Sequence, residues 1–129
     1  MGGYTEPRKT RPYFGALLLG AYDKDGHFVY VGHTGGGFTR EGLAGMYARL
    51  RPLERRTPPF VNPPRTNEPA HWVSPRIVVE VKFAEWTSDR LLRQPIFLGV
   101  RDDKDAREVT IEAVSLQRWG TGELRHDAA

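Results

Sequence analysis

Apolar positions along this chain keep two different rhythms, and each rhythm predicts a different element. Tyr13-Phe14-Gly15-Ala16-Leu17-Leu18-Leu19-Gly20-Ala21-Tyr22 is apolar on both faces, the mark of a central strand. Lys24-Asp25-Gly26 supplies an Asp-Gly turn, and His27-Phe28-Val29-Tyr30-Val31-Gly32 returns, completing a hairpin. Gly35-Gly36-Gly37 then breaks the pattern. Beyond it the period changes. Leu43, Met46, Leu50 and Leu53 share one helical face, with Thr39 as N-cap and Glu41 in the first turn. Pro52 predicts that the regular helix stops just before it.

Pro58, Pro59, Pro63, Pro64, Pro69 and Pro75 make residues 57–75 an extended loop rather than a helix or an interior strand. From Arg76 to Trp86 the alternation returns, with Ile77, Val79, Val81 and Phe83 on one face. A turn at Ser88-Asp89-Arg90 leads to Gln94–Arg101, where Ile96, Leu98 and Val100 are expected on the core face and Phe97, Gly99 and Arg101 opposite. After Val109 only Ile111, Val114 and Leu116 form an apolar patch, and a loosely ordered end is expected. The order of strands and helix, with an extra strand near Tyr4, predicts an all-β fold: a small five-stranded Greek-key OB-fold barrel with one helix between strands 3 and 4. Residues 1–109 would form the barrel and residues 110–129 a tail.

Composition narrows the function classes. One domain is the expectation for 129 residues. No apolar run is long enough to span a membrane, and the first residues are not a secretion signal. Cysteine is absent, which excludes thiolate catalysis and Cys-based zinc sites and makes a reducing cytoplasm the default compartment. The net charge is +3, but Arg40, Arg49, Arg51, Arg55, Arg56 and Arg65 face only Glu41 and Glu54 within their segment. Such clustering is the electrostatic footprint of a phosphate-backbone partner. On charge alone, a solvated arginine-rich helix and loop explains the segment equally well. Phe60, in the same proline-rich loop, adds an aromatic candidate for nucleic-acid contact.

Self-sufficient catalytic chemistry is not evident. Gly32 to Thr39 approaches a phosphate-binding loop, but Phe38 holds the lysine position. His27, His33, His71 and His126 lack metal-ligand spacing, so no metal site is expected, and no serine sits in a nucleophile elbow. What remains is Arg93-Gln94-Pro95-Ile96-Phe97-Leu98-Gly99-Val100-Arg101-Asp102-Asp103-Lys104, which puts Arg101 and Lys104 at the end of a strand. Arginine offers a planar fork to phosphate oxygens and lysine a compact cation, and Asp103 is placed to orient either. A strand end with a surface ion pair accounts for the same spacing.

This stretch resembles motif VI, R-x-D-K, of the ATP-dependent DNA ligases. Phe83-Ala84-Glu85-Trp86-Thr87, Arg93, Pro95, Phe97 and Arg107-Glu108-Val109 surround it in the same order, as do Gly2-Gly3-Tyr4-Thr5-Glu6-Pro7, Phe14–Gly20 and Pro52-Leu53 with Thr57 and Pro59-Phe60 upstream. The chain is similar above all to the ligase module of bacterial end-joining ligases, over about Gly2 to Val109. The resemblance implies the C-terminal OB-fold domain, following an adenylation domain whose K-x-D-G lysine takes AMP. Lys24-Asp25-Gly26 lacks the intervening residue and is not that motif.

By the same resemblance Arg101, Asp103 and Lys104 would support adenylation; on the ground of clustered charge Arg40, Arg49, Arg51, Arg55, Arg56 and Arg65, with Phe60 of the loop, would meet DNA. ATP and Mg2+ would be the cofactors of the complete ligase and would not be held by the isolated domain. The partners would be nicked or double-stranded DNA ends and an adenylation domain in cis or in trans, at the prokaryotic nucleoid in the cytoplasm. The chain departs from the family where Lys or Arg followed by Val-Gly-Thr-Gly-Phe gives way to His33-Thr34-Gly35-Gly36-Gly37-Phe38. A stand-alone DNA-binding module and a bare interaction domain are the alternatives.

Overall fold

The computed structural model describes residues 1–7, 12–111 and 123–124. Its first hairpin pairs β2 (Leu17–Tyr22) with β3 (Phe28–Thr34). The turn between them is closed by Asp23, whose carboxylate accepts from the backbone N–H groups of Asp25 and His27. A short β1 (Gly3–Thr5) lies along the other side of β2, so β2 is central as its two-sided apolar sequence required.

Helix α1 (Arg40–Leu50) begins where Thr39 Oγ1 accepts the Gly42 N–H at 2.9 Å. It ends in a single 3-10 turn, Arg51–Leu53, around Pro52. Leu43, Met46 and Leu50 are buried in the core. Next come β4 (Glu54–Arg55) and β5 (Ala70–Val73). Strand β5 corrects the expectation of an unbroken loop over residues 57–75. It pairs with β1 on one side and β4 on the other, giving a five-stranded sheet in the order β3-β2-β1-β5-β4. The prolines at 69 and 75 flank β5 without entering it, and Ala-His-Trp-Val shows too little alternation to announce a strand.

A second sheet joins β6 (Val79–Lys82) to β9 (Ile96–Val100), and between them β7 (Glu85–Trp86) and β8 (Leu92–Arg93) form a small ribbon. Backbone pairing places β10 (Glu123–Leu124) on the far side of β6. Val114, Leu116 and most of the expected tail lie outside the described residues. An isolated bridge from Gly36, just past β3, to Ile96 of β9 and another from Tyr22 of β2 to Thr110 complete the OB-fold arrangement, with its helix between β3 and β4. No helix of the described residues is long and apolar enough to cross a membrane.

The inward face of β9 differs from the expectation. Ile96 and Leu98 are 45% and 48% exposed, whereas Phe97 and Val100 pack on the core. The cause is a β-bulge: Val81 pairs with Phe97 and Glu80 with Gly99, leaving Leu98 as an extra residue. The bulge lets residues three apart face the same way. Phe97 then stacks on Phe38 with ring centroids 4.2 Å apart.

Both faces of β2 are covered. Leu17, Leu19 and Ala21 enter the barrel core, while Leu18 joins Phe28 and Phe60 in a second cluster outside the sheet. Gly20 makes room there, because a Cβ at that position would lie 2.8 Å from the Phe60 ring. The proline-rich loop is therefore anchored through Phe60 rather than lying free.

Candidate nucleotide and DNA interface

Motif Arg101-x-Asp103-Lys104 follows β9 directly. The Arg101 N–H donates to the Val78 carbonyl at 2.8 Å, which fixes the backbone at the strand end. Asp103 then orients Arg101 rather than Lys104: the guanidinium Nε and one terminal nitrogen each donate to a carboxylate oxygen at 3.0 Å. These bonds, with Arg101 close by, hold the Asp103 carboxyl down at about 2. Arg101 is only 20% exposed and Asp103 65%, so the fork is set into the surface and its partner faces solvent.

A second ion pair holds the same loop from across the barrel. Arg49, near the end of α1, donates to Asp102 at 2.6 Å. The two residues are 53 apart in sequence, and no local pattern announces their pairing. Beyond them a cleft of about 670 Å³ opens between Ser74–Arg76 and Asp102–Arg107, with Tyr22 in its wall. Lys104 and Asp103 border it and Arg101 does not. A 3-10 turn (Ala106–Glu108) forms one edge, capped by Asp105, which accepts from the Arg107 N–H while Glu108 accepts from the Asp105 N–H. Burial raises the Tyr22 phenol above its ordinary range, with Arg107 pulling against the shift and Asp105 adding to it.

The arginines expected to meet DNA are all exposed, but they are not equivalent. Arg40 and Arg56 are exposed. Arg49 is engaged by Asp102. Arg51 pairs with Glu54 at 3.3 Å, donates to the Tyr47 hydroxyl and lies 5.4 Å from the Tyr47 ring centre. Arg55 donates to Thr57 Oγ1 at 3.2 Å. Arg65 borders a separate groove of about 680 Å³ on the β1–β2–β3 side, which also meets Glu6, Leu18, Tyr30 and His33. There His33 Nδ1 lies 3.1 Å from the Tyr30 hydroxyl, and burial pushes the Tyr30 phenol up to about 12. Phe60 is not among the surface groups. It is 4% exposed and its ring stacks on Phe28 at 5.0 Å, so its place is in the outer apolar cluster.

At the turn between β2 and β3, Asp23, Asp25 and His27 bring ligand-type atoms within 4.8 Å of one another. Sequence spacing did not single out this group. The bonds from Asp23 to the turn backbone account for the arrangement.

Comparison with known proteins gives this geometry a family. Residues 10–104 match the family model described as the ATP dependent DNA ligase C terminal region. The chain belongs to that family of ligase C-terminal domains. It is 44% identical over 114 residues to the multifunctional non-homologous end joining protein LigD of Pseudomonas aeruginosa, covering 85% of this chain and 14% of that protein. Among solved structures, the ligase domain from M. tuberculosis LigD superposes with a TM-score of 0.77 at 30% identity, over 85% of this chain and 36% of that one. A mycobacterial DNA ligase D complexed with ATP and MES gives a TM-score of 0.74 at 31% identity, over 85% and 35%. The ligase C-terminal domain described here thus spans about one seventh of the Pseudomonas relative's length, by the 14% coverage.

Proposed function

We propose that this ligase C-terminal domain works as the mobile half of an ATP-dependent DNA-joining enzyme, with an adenylation domain in cis or in trans. In one orientation it brings Lys104, and Arg101 held by Asp103, to the triphosphate of ATP. In another it lays its exposed arginines on nicked or broken DNA at the prokaryotic nucleoid. The observation that carries the reading is the Arg101–Asp103 fork beside Lys104 at a fixed strand end. Adenylation moves negative charge onto departing pyrophosphate, and cations already in place stabilise that charge without reorganising. A related mycobacterial DNA ligase D is complexed with ATP, which supports ATP as the nucleotide of the complete enzyme.

ATP and Mg2+ supply the phosphoryl chemistry when the complete ligase is assembled. Asp102 and Asp103 are paired with Arg49 and Arg101, so the motif's own contribution is Lys104 and the oriented Arg101 fork. The covalent AMP acceptor would come from the adenylation domain.

The test mixes the chain with a separately made adenylation domain and measures the two steps apart. Lys104→Ala should slow enzyme adenylation about ten- to a hundred-fold, the worth of a charge-assisted hydrogen bond. Sealing of pre-adenylated nicked DNA should be spared. Equal losses in both steps would reject the role. DNA binding should weaken with salt, and Arg40→Ala, Arg56→Ala and Arg65→Ala should each flatten the log–log slope by about one.

A further inference from the structure

Phe60 packs over part of the outer face of the β1–β2–β3 sheet, and the groove of about 680 Å³ borders the same Leu18 and Tyr30. A bulge builds one of its walls. Leu19 pairs with Gly32 and Gly20 with Tyr30, so Val31 is an extra residue that turns into the barrel core. Gly32 takes the positive φ of 143° at this bulge. Tyr30 and His33, three residues apart, therefore line the same groove. Both are already held. The Tyr30 ring meets Phe60 edge-on at 5.6 Å, and the Tyr30 hydroxyl lies 3.1 Å from His33 Nδ1. His33 stands where the family pattern has Lys or Arg, so the position offers a flat ring in place of a fixed cation.

Residues 64–68 of the proline-rich loop add the other wall. Arg65 and Asn67 are exposed there, and Glu68 lies between the sheet and solvent. Glu6, held by His71 at 3.0 Å, brings a second carboxylate to the lining. Two carboxylates beside one guanidinium disfavour a phosphate inside the groove. The same mixture suits a neutral, flat group whose edge carries N–H donors as well as oxygen and ring-nitrogen acceptors, set against apolar Leu18 and Leu91. A nucleobase is such a group. Within a duplex its faces are stacked and its pairing edge is closed, so only a base out of the stack can enter.

We infer that this groove takes an unpaired nucleobase at a DNA end, laid along Tyr30 and His33, with Asn67 on its edge and Arg65 on the adjoining phosphate. The inference rests on the proposed function for the identity of the strand. It adds a site for one unstacked base to a surface otherwise read as meeting only the backbone. Holding the two rings in place beforehand lowers the ordering cost of binding.

Fluorescence anisotropy of the 129-residue chain tests it with a blunt duplex, the same duplex carrying a short single-stranded overhang, and one whose overhang is abasic. The overhang should tighten binding about tenfold over the blunt end, and the abasic overhang should give none of that gain. His33→Ala and Asn67→Ala should each weaken the overhang duplex about three- to tenfold and leave the blunt duplex unchanged. Arg40→Ala should weaken both duplexes alike. Equal affinity for blunt and overhang ends overturns the inference. So does an abasic overhang bound as tightly as the intact one, or undiminished overhang affinity in both groove variants. In each of these cases salt-sensitive binding of the blunt duplex leaves the proposed function standing. If no duplex binds but a short free strand does, and Asn67→Ala weakens it, the base site stands and the duplex role fails. If neither duplex nor free strand binds, both fail.

Discussion

Truncating Phe60 separates a core role from a DNA-contact role. The ring is 4% exposed, stacks on Phe28 at 5.0 Å, and meets Tyr30 and Trp72 edge-on at 5.6 and 6.1 Å. Phe60→Ala removes most of a buried side chain, and such changes cost about 3–5 kcal/mol. Lost aromatic contacts add to the cost of the vacated space, at about 0.5–1.5 kcal/mol for each well-placed pair. Against a total stability of about 5–15 kcal/mol, even the lower figure removes a large share and lowers the melting temperature by about 10 °C. Phe60→Leu keeps most of the volume and should cost about half as much or less. Thermal melts of both variants give the stability terms. Fluorescence anisotropy with duplex DNA, far below either melting point, gives the binding term. If Phe60 were a stacking platform for bases, truncation would cost about 1–3 kcal/mol of DNA affinity and leave the melt alone. A melt shifted by less than about 2 °C, together with a tenfold loss of DNA affinity, would refute the core assignment.

Two further outcomes concern motif VI. The Asp103 carboxyl, held at about 2 by Arg101, stays ionised in the folded chain well below the ordinary aspartate midpoint. Because the folded value is depressed, the stabilisation is present above the unfolded midpoint and is lost as pH falls through the folded one. Carbon NMR should show Asp103 titrating near 2, and near the usual value of about 3.9 in Arg101→Ala; the same midpoint in both would remove the fork as the cause. The Arg49–Asp102 pair is exposed and should be worth only about 0.2–1 kcal/mol, so its effect belongs to loop position rather than to fold stability. Arg49→Glu should impair adenylation with a separate adenylation domain, and adding Asp102→Arg should restore it. No restoration would show that Arg49 acts elsewhere.

The sequence was most legible where one rhythm ran uninterrupted. The hairpin, the Thr39 cap and the Leu43–Met46–Leu50 face all follow local rules that packing left unchanged. Strand β5 was hidden because Ala70–Val73 owes its pairing to β1 and β4, not to its own alternation. The phase of β9 was misread because one extra residue, Leu98, interrupts the alternation, and a bulge leaves little trace in composition. Phe60 looked like a surface aromatic among prolines, and only the glycine opposite it, Gly20, hinted at a close approach. Within motif VI the pairing of Arg101 with Asp103 was within reach of local geometry. The hold of Arg49 on Asp102, and the meeting of Arg76 with Arg107, depend on how distant segments fold together.

Strand β2 is walled in from both sides, by the barrel core and by the Phe28–Phe60 cluster. Sliding it would break two apolar layers at once, so β2 is held in register against shear. On the proposed function, exchange between nucleotide and DNA would then be a turn of the whole domain as one body rather than a rearrangement inside it.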